Sequence, residues 1–265
     1  MDFIRITNEG PVRILTFNRP DVRNAVHRPM ASEITTAVNE FEADDSARVL
    51  ILTGTDGTFC AGADLAAIEN PTLRNEVTSA GDGPGPMGHT RLPIHKPAIA
   101  AIEGHAVAGG LELALLADLR IMAEDAILGV FCRRFGVPLI DGGTVRLPRI
   151  IGLGRALDLI LTGRPVGAEE AHNIGLANRV TKRGESLRAA LELAHTLAAF
   201  PQECMLTDRA STYDGLDQPL STALRNEGRL GAGIASGEGV EGARRFLSGE
   251  GRHGVFPFAD TVNQT

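Results

Sequence analysis

The sequence predicts an α/β fold, in which short apolar strands alternate with helices along the first part of the chain. Runs of Val, Ile, Leu and Ala at residues 48–54 (RVLILTG) and 97–103 (PAIAAIE) have the length and composition of buried strands. Apolar residues at helical spacing occur between such runs, as at residues 28–44. After about residue 153 only the helical spacing continues. Such alternation is typical of α/β proteins, and the helical end indicates an appendage.

The first elements are two strands, at residues 3–7 and 11–17, joined by the turn NEGP. A polar loop leads to the helix at 28–44, and the strand at 48–54 ends in a glycine-rich loop. The further elements expected are a helix from about residue 63, a strand at 97–103, a helix at 109–117, strands at 119–123 and 126–130, and a helix at 144–151.

The segment GDGPGPMGHTR at residues 81–91 interrupts this order. Its glycines and prolines oppose regular structure. The composition favours a mobile surface connection, and a loop that covers a site is the alternative.

The last part of the chain is expected to be helical, with segments at 203–213, 217–236 and 238–248. Pro201 ends the preceding helical pattern and is the most natural boundary. The sequence therefore predicts two domains, residues 1–200 and residues 201–265.

Composition argues against several classes of function. The net charge of -7 over 265 residues disfavours nucleic-acid binding, which would need a basic face. The three cysteines lie far apart without a CxxC pair, so neither a disulfide framework nor a zinc site is expected, and a reducing cytoplasm fits best. The sequence shows neither a signal peptide nor an apolar run long enough to cross a membrane. No metal or redox cofactor is implied.

Two segments share a design that suits an oxyanion. They are FCAGADL at residues 59–65 and GHAVAGGLELALLAD at residues 104–118, and each is expected to leave a strand, pass small residues and enter a helix. Backbone N–H groups at a helix start are unpaired, and small residues let a ligand approach them. Two such segments facing each other would offer two donors to one developing oxyanion. A plain strand-to-helix junction is the alternative for each segment.

Five stretches carry a family resemblance: NRPDVRNAV, LTGTDGTFCAGADL, KPAIAAIEGHAVAGGLELALLADLRIMAED, DGGTVRLPRIIG and LTGRPVGAEEAHNIGLANRV. In this order and spacing the sequence resembles the crotonase superfamily, also called the enoyl-CoA hydratase/isomerase family. The resemblance implies a spiral core of ββα turns, followed by a helical region that builds trimers, often paired into hexamers. It also implies an acyl-CoA substrate, with CoA entering as part of that substrate and no other cofactor.

The resemblance also assigns site residues by position. The two oxyanion donors fall on the backbone N–H groups of Ala61 and Gly109, which would bind the thioester carbonyl. Phe246 matches an aromatic position that contacts CoA in relatives, with a place in the core as the alternative. The path of CoA is expected to run along Arg23, Ala25, Ala61, Asp64 and Leu65.

Family hydratases use two glutamates, and this sequence retains one. The first falls on Glu112, one turn into the helix opened by Gly109, where favourable interaction with the helix dipole is the alternative role. The second falls on Cys132, whose neutral thiol at pH 7 cannot hold a water as a carboxylate does, so Cys132 is expected to line the pocket. Asp141, in LIDGGT, is the candidate second catalytic carboxylate, and a helix N-cap is its alternative role.

These residues predict enoyl-CoA hydratase/isomerase chemistry with Glu112 and Asp141 as the catalytic groups, and hydration of a 2-enoyl-CoA is favoured. Double-bond isomerisation is an alternative, because one carboxylate is enough for it. A non-catalytic acyl-CoA binder is a second alternative, because the second glutamate is replaced by Cys132. A hydrolase or dehalogenase with Asp141 as nucleophile is a third.

Three smaller expectations concern the pocket and the assembly. Arg133 and Arg134 are expected on the surface or in salt bridges, and the alternatives are that they meet a carboxylate of the acyl group or pair with a catalytic acid. The chain is expected to form a homotrimer or hexamer. The apolar residues expected in the pocket are Ile68, Met87, Phe131 and Leu139.

Overall fold

The computed structural model describes residues 3–251, which form an α/β core followed by helices. The chain divides into two compact units, of which the first ends at Ala194 and the second begins at His195. This division falls inside the helix Ser186–Ala199, whereas the sequence placed a domain boundary after that helix, at Pro201. Among the described residues, no helix is both long and apolar enough to cross a membrane.

Two sheets form the centre of the first unit. The strands are β1 (Ile4–Glu9), β2 (Val12–Phe17), β3 (Val49–Gly54), β4 (Ala98–Ile102), β5 (His105–Val107), β6 (Leu119–Ala123), β7 (Ile127–Gly129), β8 (Pro165–Gly167) and β9 (Arg179–Thr181). The larger sheet has the order β1-β2-β3-β4-β6-β9, antiparallel at β1–β2 and parallel elsewhere. The smaller sheet has the order β5-β7-β8. Strand β4 is buried along its whole length, which explains its unbroken apolar run.

The helices of this region are α1 (Arg28–Ala43), α2 (Gly109–Leu116), α3 (Gly143–Ile151), α4 (Leu153–Thr162), α5 (Ala168–Asn173) and α6 (Ser186–Ala199). Helix α1 buries one face, with Met30, Ile34 and Phe41 in the core. Helix α2 is buried on all sides, so Glu112 is a carboxylate inside an apolar helix.

Two expectations about the segments between these elements are wrong. The helix expected from about residue 63 is only a short 3₁₀ turn, Leu65–Ala67, because Ala63 lies in a parallel β-bridge with Val26. The segment 81–91 is not simply a surface connection, since Met87 and Thr90 in its second half are fully buried. That half covers the site described below.

The second unit contains the helices α7 (Gln202–Gly215), α8 (Leu220–Ser236) and α9 (Glu238–Ser248). None of the residues in these three helices is fully buried. Large apolar side chains are exposed on them, including Leu220, Leu224 and Leu247.

Candidate active site

The first unit holds a cavity of about 640 Å³ beside the start of helix α2. Most of the residues that the sequence selected line this cavity: Ala61, Asp64, Leu65, Gly109, Glu112, Cys132 and Asp141. Ile68, Met87 and Phe131 also line it, as expected, whereas Leu139 is buried in the core and its neighbour Ile140 reaches the cavity instead. The cavity therefore joins the two small-residue segments to the three candidate chemical groups.

One backbone donor of this cavity is the N–H of Gly109, at the first position of α2. It has no acceptor among the described residues, as expected for the first turn of a helix. The preceding residue, Ala108, has a φ of 53°, a conformation that costs a non-glycine residue about 1–3 kcal/mol. The tight turn out of β5 thus leads directly to Gly109, which lines the cavity.

The second donor differs from the residue expected. The N–H of Ala61 donates to the carbonyl of Arg23 at 3.0 Å, so it is already engaged. Two residues later, Ala63 lies in a parallel β-bridge with Val26, and the residues on either side of Ala63 make its hydrogen bonds. The N–H of Val26 donates to the carbonyl of Gly62 at 2.8 Å, and the N–H of Asp64 donates to the carbonyl of Val26 at 2.9 Å. In a parallel bridge the N–H of Ala63 itself points away from Val26, and it has no acceptor among the described residues. Ala63, which also lines the cavity, is therefore the better-placed donor.

Gly62 brings these two donors together. Its φ is 102°, and a Cβ atom on it would lie 2.9 Å from the Cβ of Ala108 and 3.1 Å from the nitrogen of Gly109. Only glycine allows so close an approach in this backbone conformation. The small residues noted in the sequence therefore permit contact between two backbone segments, and the paired donors result from that contact.

Glu112 supplies a carboxylate to the same cavity. Its Oε1 accepts hydrogen bonds from the N–H of Asp141 at 2.9 Å and of Gly143 at 2.8 Å, where helix α3 begins. Burial and, second, the charge of Asp141 raise its pKa to about 7. Both hydrogen bonds end on Oε1, so Oε2 remains without a donor among the described residues and can meet a ligand. A carboxyl group with this pKa can both accept and return a proton near neutral pH.

Asp141 is held differently from Glu112. Its Oδ1 accepts from the N–H of Met87 at 2.9 Å and from the hydroxyl of Thr90 through a short hydrogen bond. Its pKa is also raised, mainly by burial, against the effect of these hydrogen bonds. The side chain does not cap α3, whose N-cap is Gly142 without a side-chain hydrogen bond. Asp141 thus connects the wall of the cavity to the segment 85–91.

Cys132 lines the cavity as expected from its size, and it is 7% exposed. Burial, followed by the charge of Glu112, raises the pKa of its thiol. The thiol is therefore neutral at pH 7, and it places no carboxylate where the family's second glutamate would stand.

Only some of the residues expected along CoA line the cavity. Asp64 and Leu65 line the cavity, but Asp64 is tied to Arg19 by a salt bridge of 2.9 Å. Arg23 and Ala25 lie outside the cavity wall and act through their backbone, since their carbonyls accept from Ala61 N–H and from the Arg19 side chain. Phe246 lies on α9 in the second unit and is 56% exposed, so it is not a core residue of the described chain.

The two arginines after Cys132 have separate environments. Arg133 donates to the carbonyl of Ile160 at 3.0 Å on the exposed side. Arg134 lines the cavity, and its guanidinium lies 4.4 Å from the centre of the Phe131 ring. Neither residue forms a salt bridge within the described part of the chain.

Asn24 is a supporting residue that the sequence analysis did not single out. It is fully buried and has a φ of 57°. Its side chain donates to the carbonyls of Thr55 and Thr58 and accepts from the N–H of Arg19, and its carbonyl accepts from Cys60. A signal was present, because asparagine is the residue that most readily adopts positive φ after glycine.

A model of the family described as enoyl-CoA hydratase/isomerase matches residues 7–250. The chain belongs to the enoyl-CoA hydratase/isomerase family. The enoyl-CoA hydratase EchA19 of Mycobacterium tuberculosis is 33% identical over 244 residues, 91% of this chain and 92% of that protein. The crystal structure of enoyl-CoA hydratase EchA1 from Mycobacterium marinum matches with a TM-score of 0.86 and 31% identity, covering 94% of this chain and 96% of that one.

A second solved structure, an enoyl-CoA hydratase from Mycobacterium tuberculosis, gives a TM-score of 0.85 at 32% identity over 94% of this chain and 96% of that chain. These matches confirm the crotonase-type α/β fold and the helical C-terminal region. The chain is therefore an enzyme of the hydratase/isomerase family.

Proposed function

We propose that this enzyme moves the double bond of a 3-enoyl-CoA into conjugation with the thioester, with Glu112 as the single acid–base group. The observation that supports this reaction best is that one carboxylate, Glu112, lines the cavity together with the N–H groups of Ala63 and Gly109, which have no acceptor among the described residues. Cys132 supplies no second carboxylate, and the Oδ1 of Asp141 is engaged by Met87 and Thr90.

The proposed steps follow from these positions. The thioester oxygen accepts hydrogen bonds from the N–H groups of Ala63 and Gly109. Oε2 of Glu112 removes a proton from C2, and the electron pair of that C–H bond forms a dienolate whose negative oxygen the two donors stabilise. The protonated Glu112 then delivers the same proton to C4, and a 2-enoyl-CoA results. No water or redox partner is consumed.

A pKa of about 7 for Glu112 suits this cycle, because the carboxyl group must be a base in one step and an acid in the next. Each donor of such an oxyanion hole typically stabilises the transition state by about 2.7–4 kcal/mol. The apolar surroundings of Glu112 on α2 strengthen both effects by excluding water.

Hydration of a 2-enoyl-CoA is the second candidate, and two observations favour it. Relatives at 33% identity are named enoyl-CoA hydratases, and Asp141 lines the same cavity as Glu112. In that reaction the Oδ2 of Asp141 would share the activated water with Glu112.

The absorbance of the conjugated thioester separates the two reactions. With 3-hexenoyl-CoA, an isomerase produces a rise in this absorbance, whereas a hydratase given 2-hexenoyl-CoA produces a fall. We expect the rise to be faster, and Glu112→Gln to slow it by about 10²–10⁴-fold. Glu69→Gln is the control, because Glu69 is exposed and outside the cavity wall. A fall without a rise would reject isomerisation in favour of hydration, and binding without either change would indicate a non-catalytic acyl-CoA binder.

A further inference from the structure

The segment 85–91 is fastened to the cavity by a set of hydrogen bonds centred on Asp141. The Oδ1 of Asp141 accepts from Met87 N–H and from the Thr90 hydroxyl. The guanidinium of Arg146 donates to the carbonyls of Asp141 at 3.0 Å and of Thr90 at 2.6 Å. The Arg91 side chain donates to the carbonyl of Ile140 at 2.9 Å. Two segments about fifty residues apart in sequence are thereby held in one arrangement.

This arrangement places the Met87 side chain against the oxyanion donor. A Cβ atom on Gly109 would lie 2.8 Å from the sulfur of Met87, and Met87 is 1% exposed. The thioether therefore covers the backbone beside the Gly109 N–H and takes up space in the cavity. A substrate whose thioester oxygen binds Gly109 must place its acyl group next to Met87.

The approach of the loop to Asp141 is also very close. Gly85 has a φ of 96°, and a Cβ atom on it would lie 2.9 Å from the Oδ1 of Asp141. Gly88 has a φ of 106°, and a Cβ atom on it would lie 2.9 Å from a methyl carbon of Ile34. Gly85 thus allows the loop to approach the carboxylate of Asp141, and Gly88 allows it to approach helix α1.

We propose that Asp141 is a positioning residue, which holds the segment 85–91 through Oδ1 so that the Met87 side chain limits the length of the acyl chain that fits beside Gly109. The inference rests on the proposed function, since it requires the acyl group of a CoA thioester in this cavity. In this proposal the role of Asp141 differs from that of Glu112, whose Oε2 meets the substrate. The substrate class that follows is acyl-CoA with a short acyl chain.

The test compares kcat/KM for 3-octenoyl-CoA with that for 3-hexenoyl-CoA. Met87→Ala is expected to raise this ratio about tenfold, the usual effect of one or two methylene groups in an apolar pocket. Asp141→Ala should raise it in the same direction, because the loop loses its acceptor. Asp141→Asn should keep a ratio close to that of the wild type, because the amide oxygen still accepts both hydrogen bonds.

Two further variants serve as checks on this test. Thr90→Val removes one donor at almost constant shape and should give a smaller shift of the same sign, even if Asp141→Ala does not fold. Asp82→Asn changes an exposed carboxylate before the segment and should leave the ratio at the wild-type value.

The proposal is overturned if Met87→Ala leaves the ratio unchanged, or if Asp141→Asn lowers kcat by about 10²-fold or more at an unchanged ratio, since Asp141 would then transfer a proton. Calorimetry with saturated acyl-CoAs separates this failure from a failure of the proposed function. If the wild type binds butyryl-CoA, acyl-CoA recognition is supported whatever the role of Asp141. If the wild type binds no acyl-CoA, both proposals fail.

Discussion

Two opposing effects act on the pKa of Glu112. Hydrogen bonds from the N–H groups of Asp141 and Gly143 favour the carboxylate, while burial and the charge of Asp141 favour the neutral acid. Burial has the largest effect, and the pKa rises to about 7. The surroundings of Glu112 thus give it a pKa that suits the proton transfer proposed for it.

The rate should follow this ionisation. Proton removal from C2 needs the carboxylate, so kcat/KM is expected to rise with pH and to level off above a midpoint near 7. The charged or titratable groups around Glu112 are Asp141 and Cys132, whose pKa values are also raised mainly by burial, and Arg146. A pH series at saturating and subsaturating 3-hexenoyl-CoA measures the midpoint. A rate independent of pH between 5 and 8 would contradict the assignment.

Stability should change in the opposite direction. The folded-state pKa of Glu112, about 7, lies above the ordinary value of 4.5, so the folded protein keeps a proton that the unfolded chain has lost. This contribution is complete below pH 4.5 and disappears as pH rises to about 7. Glu112→Gln should therefore lose less stability than the wild type between these values. Thermal unfolding across the range measures the difference, and parallel curves for the two proteins would count against a raised pKa.

Gly62 offers a direct test of the two-donor arrangement. Gly62→Ala would press a methyl group against Ala108 and Gly109, and displacement of the donors by a few tenths of an ångström should lower kcat by about 10–100-fold. Gly57→Ala is the matched control, because Gly57 also has positive φ but has no atom within 4 Å of an added Cβ. Equal losses of activity in the two variants would show that backbone strain alone, and not donor geometry, is responsible.

At the scale of elements, the loop between β2 and α1 is held by Asn24. Its amide satisfies the carbonyls of Thr55 and Thr58 and the N–H of Arg19, and it places the Arg23 carbonyl where Ala61 binds. This loop fixes the strand-like segment that presents Ala63. The donor pair therefore depends on a residue that does not line the cavity.

Loss of this side chain should destabilise the protein. Asn24→Ala leaves buried polar groups without partners and is expected to lower the free energy of unfolding by about 3 kcal/mol. Asn8→Ala, at an exposed position whose side chain accepts a hydrogen bond from the Arg13 side chain, should change it by less than about 0.5 kcal/mol. Urea unfolding of both variants provides the comparison, and similar midpoints would contradict the role of Asn24.

The elements that the sequence predicts here are those with an extended periodic pattern or a buried apolar run. Helix α1 and strands β3 and β4 are examples, because their patterns extend over five or more residues. The strands β5, β8 and β9, of three residues each, were missed, whereas β7, equally short, was predicted within 126–130. The helix expected near residue 63 fails for another reason, since the bridge between Val26 and Ala63 joins segments distant in sequence.

The site was predicted in part, and mainly through the family resemblance. That resemblance assigned Gly109, Glu112 and Cys132 by position, and all three line the cavity. The donor assigned to Ala61 required knowledge of which N–H the Arg23 carbonyl occupies. The partners of Asp141 lie more than fifty residues away, and no local pattern reveals them.

For the whole molecule, the second unit leads to a prediction about assembly. Helices α7, α8 and α9 carry exposed side chains such as Leu220 and Leu247 and contain no fully buried residue. Exposed apolar surface of this kind is typical of a protein interface. We expect light scattering to give three or six times the chain mass of 28.0 kDa. A species of one chain mass at micromolar concentration would reject the trimer.

The proposed reaction requires that a single buried carboxylate, Glu112, carries a proton from C2 to C4 of the substrate. The most direct measurement uses 3-hexenoyl-CoA with two deuterium atoms at C2, in ordinary water, and analyses the product by mass spectrometry and NMR. Transfer by Glu112 alone predicts 2-hexenoyl-CoA with substrate-derived deuterium at C4. A product with only solvent hydrogen at C4, or one that gains the elements of water, would contradict the account.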